Sequence, residues 1–438
     1  AEADQLNGNL PLDTRGLWGG VILLGNARIN TATGIGQIEG IPSTEPRGAF
    51  GGQDDEDNSG VMRYVSIRYG GTNIGEGNEI NGLTFGGVGS GTTIEYIEVV
   101  NNADDGYEWF GGTVNTKYLI SAFNGDDSFD YDEGFRGKGQ FWFALQAEDT
   151  GNRAAEQDGG TTPEDGTPFA IPQLYNATYI GSGMSSTNAD NDLAMIFRDN
   201  AGGKYFNSIF TDFAAHGISV EDLTSGEDSR ARLEAGDLLL RNNYWWNFGA
   251  GNTIDAIAQQ DFVRAHLTSN SNMIADPQIR HISRTNDGML DPRPVAGSPV
   301  LTAASATPND GFFTSVPYVG AFGNENWAKG WSFLSTGGVL GIEVAMDNRI
   351  PATVELDQNY PNPFNPTTTI RFALPQVSHV RLAVYNAFGQ LMDVLLDDVR
   401  EAGAYGITWS ASKLPSGTYF YTLQTANGMQ VKKMSLVK

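Results

Sequence analysis

Short β-type runs separated by bends rich in Gly, Asn and Asp recur along most of the chain. The clearest are two neighbouring windows, YIEVVNNADDGYEWFGG at 96–112 and YLISAFNGDDSFDYDEG at 118–134, which are copies of each other displaced by 22 residues. A fixed period of about 20–25 residues indicates a solenoid. Neither copy can bury an apolar face alone, so each must stack on the next. Because no helical spacing of apolar residues separates them, the pattern predicts an all-β fold, a right-handed parallel β-helix.

The same pattern extends the solenoid in both directions. Strand candidates precede the two windows at 21–24 and 61–71, and weaker echoes follow them at 174–183, 204–220 and 237–249. We expect a parallel β-helix domain over residues 1–336. It should contain roughly ten coils, spaced by about 4.8 Å as neighbouring strands are.

Two segments interrupt the repeat. Residues 147–168 are rich in Asp, Gly, Thr and Pro and almost free of apolar residues, which predicts a surface loop. Residues 253–267 carry apolar residues near one face of a helix, and either Thr253 or Asn252 is placed to cap its first turn. We expect this single helix to pack on the outside of the solenoid or to close its end.

The end of the chain follows a different pattern. The repeat weakens over 337–354, which predicts a linker. Residues 355–438 then show six or seven short alternating runs, with turn residues between them as at 386–389 and 415–417. This arrangement predicts a compact antiparallel β-sandwich.

Composition agrees with a solenoid and disfavours several classes of function. The 438 residues include 55 Gly, and only 18% are charged, which suits tight bends between short strands. A formal net charge of −25 argues against nucleic acid and anionic membranes as partners. It is compatible with binding a hard cation such as calcium, or with solubility alone.

The residues that are missing also narrow the possibilities. The chain has no Cys, which excludes disulfides and thiolate metal sites. No apolar run approaches the ~20 residues of a transmembrane helix. The start at Ala1, without a basic and apolar leader, suggests the mature or trimmed form of an exported protein.

The C-terminal segment resembles a known family. The motifs NYPNPFNPTTTIRFALP at 359–375, LPSGTYFYTL at 414–423 and KKMSLVK at 432–438 are similar to the type A C-terminal sorting domain of the type IX secretion system, found in Bacteroidota and neighbouring phyla. The resemblance implies an Ig-like sandwich and contact with the type IX secretion machinery during export. It also implies a location at the cell surface of a Gram-negative bacterium or outside the cell.

The region before it resembles large surface proteins of the same bacteria that carry predicted β-helices. The resemblance rests on motifs such as RYVSIRYGG at 63–71 and DDSFDYDEGFRGKGQFW at 126–142. Members of that family have further coils before the counterpart of residues 1–10. We therefore expect an uncapped first coil whose strand edges are covered by a removed segment or by a neighbouring subunit.

Acidic residues concentrate in the two windows, and they are the candidate site. Stacking at an offset of 22 residues would bring the acidic groups of the two copies to about 5 Å. Carboxylates at that distance repel unless they are protonated or bridged, and calcium takes 6–8 oxygen ligands. The expected cofactor is therefore calcium, and its candidate ligands are Asp104, Asp105, Asp126, Asp127, Asp130 and Asp132. The alternative is that these Asp residues form turns by bonding their own backbone.

Other candidate residues have simpler interpretations. Arg136 and Lys138 follow the acidic residues and are expected to pair with them. By analogy of fold alone, a calcium-dependent polysaccharide lyase would use such a basic residue. The tryptophans at 245–246, 327 and 331 could stack on sugars, although packing in the core is the commoner role. The four His residues show no metal-ligand spacing.

These patterns predict a non-enzymatic structural protein of the cell surface or extracellular space. It would be a homo-oligomer or polymer, a filament or sheath formed through the solenoid ends and the retained C-terminal domain. The first alternative is a monomeric surface adhesin or carbohydrate-binding protein that contacts glycans. The second is a calcium-dependent polysaccharide lyase.

Overall fold

The computed structural model describes residues 10–73, 80–160, 162–341, 353–400, 402–411, 414–426 and 428–437. The chain divides into two compact units, Ala1–Arg280 with Pro292–Phe333 and His281–Asp291 with Leu334–Lys438. Most of the expected linker, residues 342–352, lies outside the described residues. Residues 1–9 of the expected uncapped first coil also lie outside them.

In chain order the strands are β1 (Val21–Leu24), β2 (Gly36–Gln37), β3 (Ala49–Phe50), β4 (Val61–Arg68), β5 (Leu83–Gly86), β6 (Thr93–Val100), β7 (Tyr107–Phe110), β8 (Asn115–Ala122), β9 (Phe129–Asp132), β10 (Lys138–Leu145), β11 (Ala155–Asp158), β12 (Gln173–Tyr175), β13 (Thr178–Ile180), β14 (Leu193–Arg198), β15 (Gly203–Phe206), β16 (Ile209–Phe213), β17 (His216–Val220), β18 (Leu238–Arg241), β19 (Tyr244–Phe248), β20 (Met273–Ile274), β21 (Ile279–His281), β22 (Asp291–Pro294), β23 (Glu355–Leu356), β24 (Thr367–Leu374), β25 (Ser378–Asn386), β26 (Leu391–Arg400), β27 (Gly403–Ser410), β28 (Gly417–Thr425) and β29 (Gly428–Leu436). The helices are α1 (Ser229–Ala235), α2 (Ile254–Ile257), α3 (Asp261–Ser269) and α4 (Phe333–Thr336), with short 3-10 helices at Pro46–Gly48 and Pro299–Thr302.

Two long parallel sheets form a β-helix in the first unit. Sheet 1 has the strand order β1-β5-β7-β9-β11-β14-β17, and sheet 2 consists of β4, β6, β8, β10, the pairs β12/β13, β15/β16 and β18/β19, and β20. The offset of 22 residues relates β6 to β8 and β7 to β9, so that Ile97 pairs with Leu119 and Tyr107 with Phe129. The predicted parallel β-helix is therefore confirmed.

The solenoid has fewer coils than the ten expected. Sheet 2 shows eight rungs within the described ranges. The offset between neighbouring rungs varies between 22 residues, from Thr93 to Asn115, and 35 residues, from Lys138 to Gln173. Long excursions between strands use the residues that further coils would have needed.

The polar insertion at 147–168 is not wholly a surface loop, and that expectation is corrected. Residues Ala155–Asp158 form β11, which pairs with β9 and β14 in sheet 1. Gln157 faces the core, where its Oε1 accepts a hydrogen bond from the Tyr205 hydroxyl at 2.7 Å. Because the sequence AEQD has no apolar run, backbone pairing with the two neighbouring strands determines this strand.

One position in successive rungs of sheet 2 has a left-handed backbone, and we call this series the ladder. Its φ angles lie between 53° and 59° at Tyr64, Tyr96, Tyr118, Phe141, Asn176, Asn207 and Asn242. The ring centroids of Tyr96 and Tyr118 are 4.3 Å apart, as expected for equivalent positions of stacked coils. A left-handed backbone at a non-Gly residue costs of order 1–3 kcal/mol, which ring stacking and amide hydrogen bonds help to offset.

Residues 298–333, which we call the strap, run back along the ladder. The strap backbone accepts hydrogen bonds from ladder asparagines, for example from Asn207 Nδ2 to the Ser305 carbonyl at 2.9 Å. Trp327 and Trp331 pack edge-on against Tyr118 and Tyr96, with centroids 5.2 and 6.0 Å apart. Together with Trp245, which is buried in the solenoid core, these tryptophans pack against other parts of the protein, as the commoner role predicts.

Helices α2 and α3 close the far end of the β-helix. Val263 and Leu267 of α3 are fully buried in the solenoid core. Polar side chains occupy the edges of the last strands, since Gln260 Oε1 accepts the Val220 N–H at 2.9 Å and His266 Nε2 accepts the Leu240 N–H at 3.1 Å. The helical segment therefore caps the end of the solenoid, which was one of the two expected placements.

The expected single helix at 253–267 is corrected in its details. Helix α2 ends at Ile257 and α3 begins at Asp261, so the segment is broken in the middle. Thr253 caps α2 as expected, because its side chain accepts the Ala256 N–H at 3.2 Å. A further helix, α1, was not expected, although Asp228 provides an ordinary N-cap by accepting the Ala231 N–H at 2.7 Å.

The second unit contains an antiparallel β-sandwich. One sheet has the order β23-β24-β27 and the other β26-β25-β28-β29. Their inner faces share a core that includes Leu382, Trp409 and Tyr421. Seven strands in two sheets confirm the predicted antiparallel sandwich, and they fit an Ig-like domain. In the described ranges, no helix is both long and apolar enough to cross a membrane.

Candidate metal centre

The outer face of sheet 1 carries a row of carboxylates. Tyr107 and Phe129 point into the core, so the residues that follow them, Glu108 and Asp130, point outward. Glu108 pairs with Asp130 across neighbouring strands, and Asp130 pairs with Glu156 of β11. Three successive coils therefore place one carboxylate each on a line.

The bends before β7 and β9 bring further Asp residues to the same place. Asp105 Oδ1 accepts the Asp127 N–H at 2.9 Å, and Asp127 Oδ1 accepts the Arg153 N–H. Each carboxylate thus bonds backbone, as the turn interpretation expected, but the backbone belongs to the following coil. These bonds hold the carboxylates one above another.

Two sets of oxygens are close enough to share an ion. One oxygen each of Asp105, Glu108 and Asp130 lie within 4.8 Å of one another, and the same holds for Asp104, Asp105 and Asp126. Calcium–oxygen distances are about 2.3–2.6 Å. Two ligands on opposite sides of one calcium are therefore about 4.8 Å apart, which these sets can satisfy.

A polar cleft leads to the outer set. Its volume is about 500 Å³, and Asp104 and Asp126 line it together with Asp149, Asn152 and Asp190. The inner set lies deeper, because Asp105 and Asp130 are nine-tenths buried or more. The outer set is therefore open to solvent through the cleft, and the inner set shares Asp105 with it.

Burial and mutual repulsion make this region electrostatically unfavourable. Desolvation first, and then the neighbouring carboxylates, raise the pKa values of Asp105, Glu108, Asp127 and Asp130 well above their usual range. Desolvation also raises the pKa of Asp158 to about 7, although Arg198 opposes that shift. These carboxylates therefore favour a proton or a cation over isolation as buried anions.

We call eight residues the acidic cluster: Asp104, Asp105, Glu108, Asp126, Asp127, Asp130, Glu156 and Asp158. Arg153 and Arg198 form ion pairs with it, at 3.2 Å to Glu156 and 2.8 Å to Asp158. Eight carboxylates and two guanidiniums carry a formal charge of −6 if all are ionised. Asp130 Oδ1 is buried and has no hydrogen-bond partner among the described residues.

The structure brings most of the predicted ligands together. Asp104, Asp105, Asp126 and Asp130 belong to the two oxygen sets, and Asp127 is tied to Asp105 through its backbone. Asp132 lies in a second outward row, opposite Phe110, and its Oδ1 accepts the Glu133 N–H at 2.5 Å. Asp132 is in neither set.

The sequence interpretation missed Glu156 and Asp158, because they lie in the insertion taken for a loop. One signal was present in the sequence. The alternation of FDYD at 129–132, with acidic residues second and fourth, recurs as AEQD at 155–158. Aligning those two segments would have added the third coil of the row.

Arg136 and Lys138 do not pair with the acidic cluster, contrary to expectation. Arg136 forms an ion pair with Asp55 at 3.1 Å, and Lys138 Nζ lies 2.6 Å from Asp310. Both partners, Asp55 and Asp310, lie in long connections between strands. They are far from Arg136 and Lys138 in the sequence, so local sequence patterns could not predict these ion pairs. The lyase alternative therefore loses the basic residues that had suggested it.

Comparison with protein families matches both units. Residues 8–285 match the model of the pectate-lyase-like β-helix domain, and residues 358–437 match that of the secretion system C-terminal sorting domain. No curated protein and no solved structure shows a significant match. The sorting domain marks proteins that Bacteroidota export to the cell surface or extracellular space, and it implies contact with the type IX machinery during export.

The β-helix match covers more than half of the chain, and it coincides with the parallel coils described above. The fold family alone says nothing about catalysis. This chain belongs to the family of pectate-lyase-like β-helix domain proteins and carries a C-terminal sorting domain for export to the cell surface or beyond.

Proposed function

We propose that this protein is a non-enzymatic structural protein of the bacterial surface whose β-helix is stabilised by calcium bound in the acidic cluster. Asp130 Oδ1, which is buried without a hydrogen-bond partner among the residues that the structure describes, carries the proposal. A buried carboxylate oxygen without a partner is strongly destabilising, and a cation shared with Asp105 and Glu108 would remove the penalty for three carboxylates together.

Calcium fits this cluster better than other ions do. The available ligands are carboxylate oxygens from bends and strands of different coils, and calcium accepts such irregular sets of 6–8 oxygens. Zinc prefers nitrogen and sulfur ligands in a tetrahedron, and magnesium requires a near-ideal octahedron. In this role the ion cross-links successive coils.

Thermal unfolding tests the proposal. The melting temperature of protein stripped with a chelator should rise by several degrees in millimolar calcium, and less in equimolar magnesium. Equal melting temperatures in chelator and in calcium would refute calcium binding. The purified protein should leave uronate polymers intact with calcium present, and their cleavage would refute the non-enzymatic role.

A second proposal concerns self-assembly into a filament or sheath. In sheet 2, β4 pairs only with β6 among the described residues. Two of its side chains are open to solvent, with Val61 70% and Tyr64 59% exposed. Such an edge favours pairing with another chain. Helices α2 and α3 cover the opposite end of the β-helix, so the β4 edge cannot pair with a free strand edge there. A polymer would therefore also need contacts made by the C-terminal domain.

Electron microscopy of the full chain tests this second proposal. Regular polymers would support it, and a Tyr64→Lys variant should then assemble less, because a charge is placed at the edge of the ladder. Monodisperse single particles that bind a glycan array would instead support the adhesin alternative.

A further inference from the structure

A second group of carboxylates lies outside the acidic cluster. Glu164 comes from the insertion at 147–168, Asp199 from the turn after β14, and Glu221 directly follows β17. One oxygen of each lies within 4.8 Å of the others. The Glu221 N–H donates to the Phe197 carbonyl at 2.8 Å, which extends the pairing of sheet 1 and places Glu221 beside Arg198, the residue before Asp199.

Asn200 lies between these residues and is itself incompletely bonded. It is 1% exposed. Its backbone N–H donates to Glu221 Oε2 at 3.4 Å, and its Nδ2 donates to the Glu164 carbonyl at 3.2 Å. Its side-chain Oδ1 is buried without a hydrogen-bond partner in the described part of the chain, and the same is true of Glu164 Oε1. Two buried oxygens at one place therefore lack a positive partner or donor.

No ion pair from the described ranges reaches these three carboxylates. The nearest arginine in sequence, Arg198, is engaged with Asp158 and Glu156. Desolvation raises the pKa of Glu221; the hydrogen bond from the Asn200 N–H opposes that shift, and the charges of Asp199 and Glu164 add to it. These three carboxylates thus carry an excess of negative charge, as the acidic cluster does, and no arginine of the described ranges forms an ion pair with them.

We propose that Glu164, Asp199, Glu221 and the Asn200 side-chain oxygen form a second divalent cation site, separate from the acidic cluster. The donors are three carboxylates and one amide oxygen, a set suited to calcium. The ion ties the insertion to the turn after β14 and to the end of β17. Because these segments are far apart in sequence, the ion replaces the apolar contacts that the polar insertion cannot make.

Calorimetric titration of the full chain with calcium, after removal of metal by a chelator, tests this site. The wild type should bind at two separable sites. Glu164→Gln and Glu221→Gln should each remove one of them, and Asp130→Asn should remove the other. Asp165→Asn is the matched control, because Asp165 is an exposed neighbour of Glu164 and its loss should leave both sites intact.

Limited proteolysis gives an independent measurement. Calcium should slow cleavage at 162–168 in the wild type and in Asp130→Asn, but not in Glu164→Gln. Calcium binding that is lost in Asp130→Asn and unchanged in both Glu variants would overturn this second site and leave the first intact. Binding lost only in the Glu variants would support the second site and refute the first. Each Gln variant removes one negative charge from a group of like charges, so it should still fold. Circular dichroism will verify the folding of both variants.

Discussion

Asp130 lies in the middle of the row of carboxylates on sheet 1. It pairs with Glu108 on one side and with Glu156 on the other. Its outward position puts it next to like charges, while burial keeps water from screening them. Burial and those charges raise its pKa, so a proton or a cation determines how stable this part of the solenoid is.

Asp130→Asn should separate the two effects. In chelator we expect the variant to be more stable than the wild type by about 1–3 kcal/mol, because a buried unpaired charge is removed. In calcium we expect the wild type to be stabilised more than the variant, since the variant has lost a ligand. Denaturant unfolding with and without calcium measures both differences. Asp165→Asn serves as the control and should follow the wild type, whereas an Asp130→Asn protein that keeps the full calcium effect would contradict the proposed site.

The pH dependence of stability should also change with calcium. Burial raises the pKa of Glu133 to about 8 and that of Asp158 to about 7. The folded state therefore binds more protons than the unfolded chain between the ordinary carboxyl pKa, about 4.3, and pH 8. Without metal, the free energy of unfolding should fall as pH rises through this window and level off above it.

The pKa values of Asp105, Glu108 and Asp130 are raised as well. Calcium competes with protons for the oxygens of these three residues, so saturating calcium should weaken the trend. Melting temperatures measured from pH 5 to pH 9, in chelator and in calcium, test the prediction. A metal-free protein whose stability rises steadily with pH would show that these carboxylates are not buried as described.

At the scale of elements, the ladder and the strap determine the shape of sheet 2. Each ladder residue bends its rung through a left-handed backbone. The rings from Tyr64 to Phe141 stack on one another, and Asn242 donates to Asn207. Asn207 also binds the strap, since its Oδ1 accepts the Ser305 N–H at 2.9 Å and its Nδ2 donates to the Ser305 carbonyl. The strap is therefore attached through the same residues that form the corner of each coil.

Substitutions at Asn207 should distinguish hydrogen bonding from backbone strain. Asn207→Ala loses its bonds to Ser305 and Asn242 and must hold a left-handed backbone without an amide, so we expect a loss of about 2–4 kcal/mol. Asn207→Gly loses the same bonds but tolerates the backbone, and it should be about 1 kcal/mol more stable than the Ala variant. Denaturant unfolding of both variants provides the comparison.

Asn247→Ala is a suitable control for this series. Asn247 also has a left-handed backbone, with φ 62°, but its side chain is half-buried and donates to Asp212 rather than to the strap. Its replacement should cost less than that of Asn207. Equal losses at the two positions would indicate that backbone strain, rather than attachment of the strap, determines the effect.

At the scale of the whole molecule, the chain combines a β-helix with a sorting domain. A net charge of −25 suits a soluble exported protein and keeps copies apart unless a specific contact or a cation joins them. The sorting domain folds around its own core, as expected for a module that the export machinery recognises.

Deletion of residues 358–437 should therefore stop export while leaving the β-helix folded. In a Bacteroidota host with a working type IX system, we expect the truncated chain to accumulate in the periplasm and the full chain at the surface or in the medium. Cell fractionation with antibody detection measures this distribution. A truncated chain that reaches the surface at wild-type levels would show that another segment directs export.

The sequence by itself determined the parallel coils, their offset in the central pair and the C-terminal sandwich. These features follow from patterns within one or two coils, where side-chain alternation and bend residues report directly on the backbone. It also located most of the acidic residues, because Asp105 and Asp127 recur at the repeat distance.

Only the tertiary structure decided which charges meet. Strand β11 has no apolar pattern, so pairing with β9 and β14 was needed to bring Glu156 and Asp158 into the acidic cluster. Connections of variable length supply other partners to Arg136 and Lys138, so these two residues do not pair with the cluster. Such connections also bring Glu164 close to Glu221. The physical reason is that electrostatic and hydrogen-bond partners act through space over a few ångströms, whereas sequence patterns record only the local conformation of the chain.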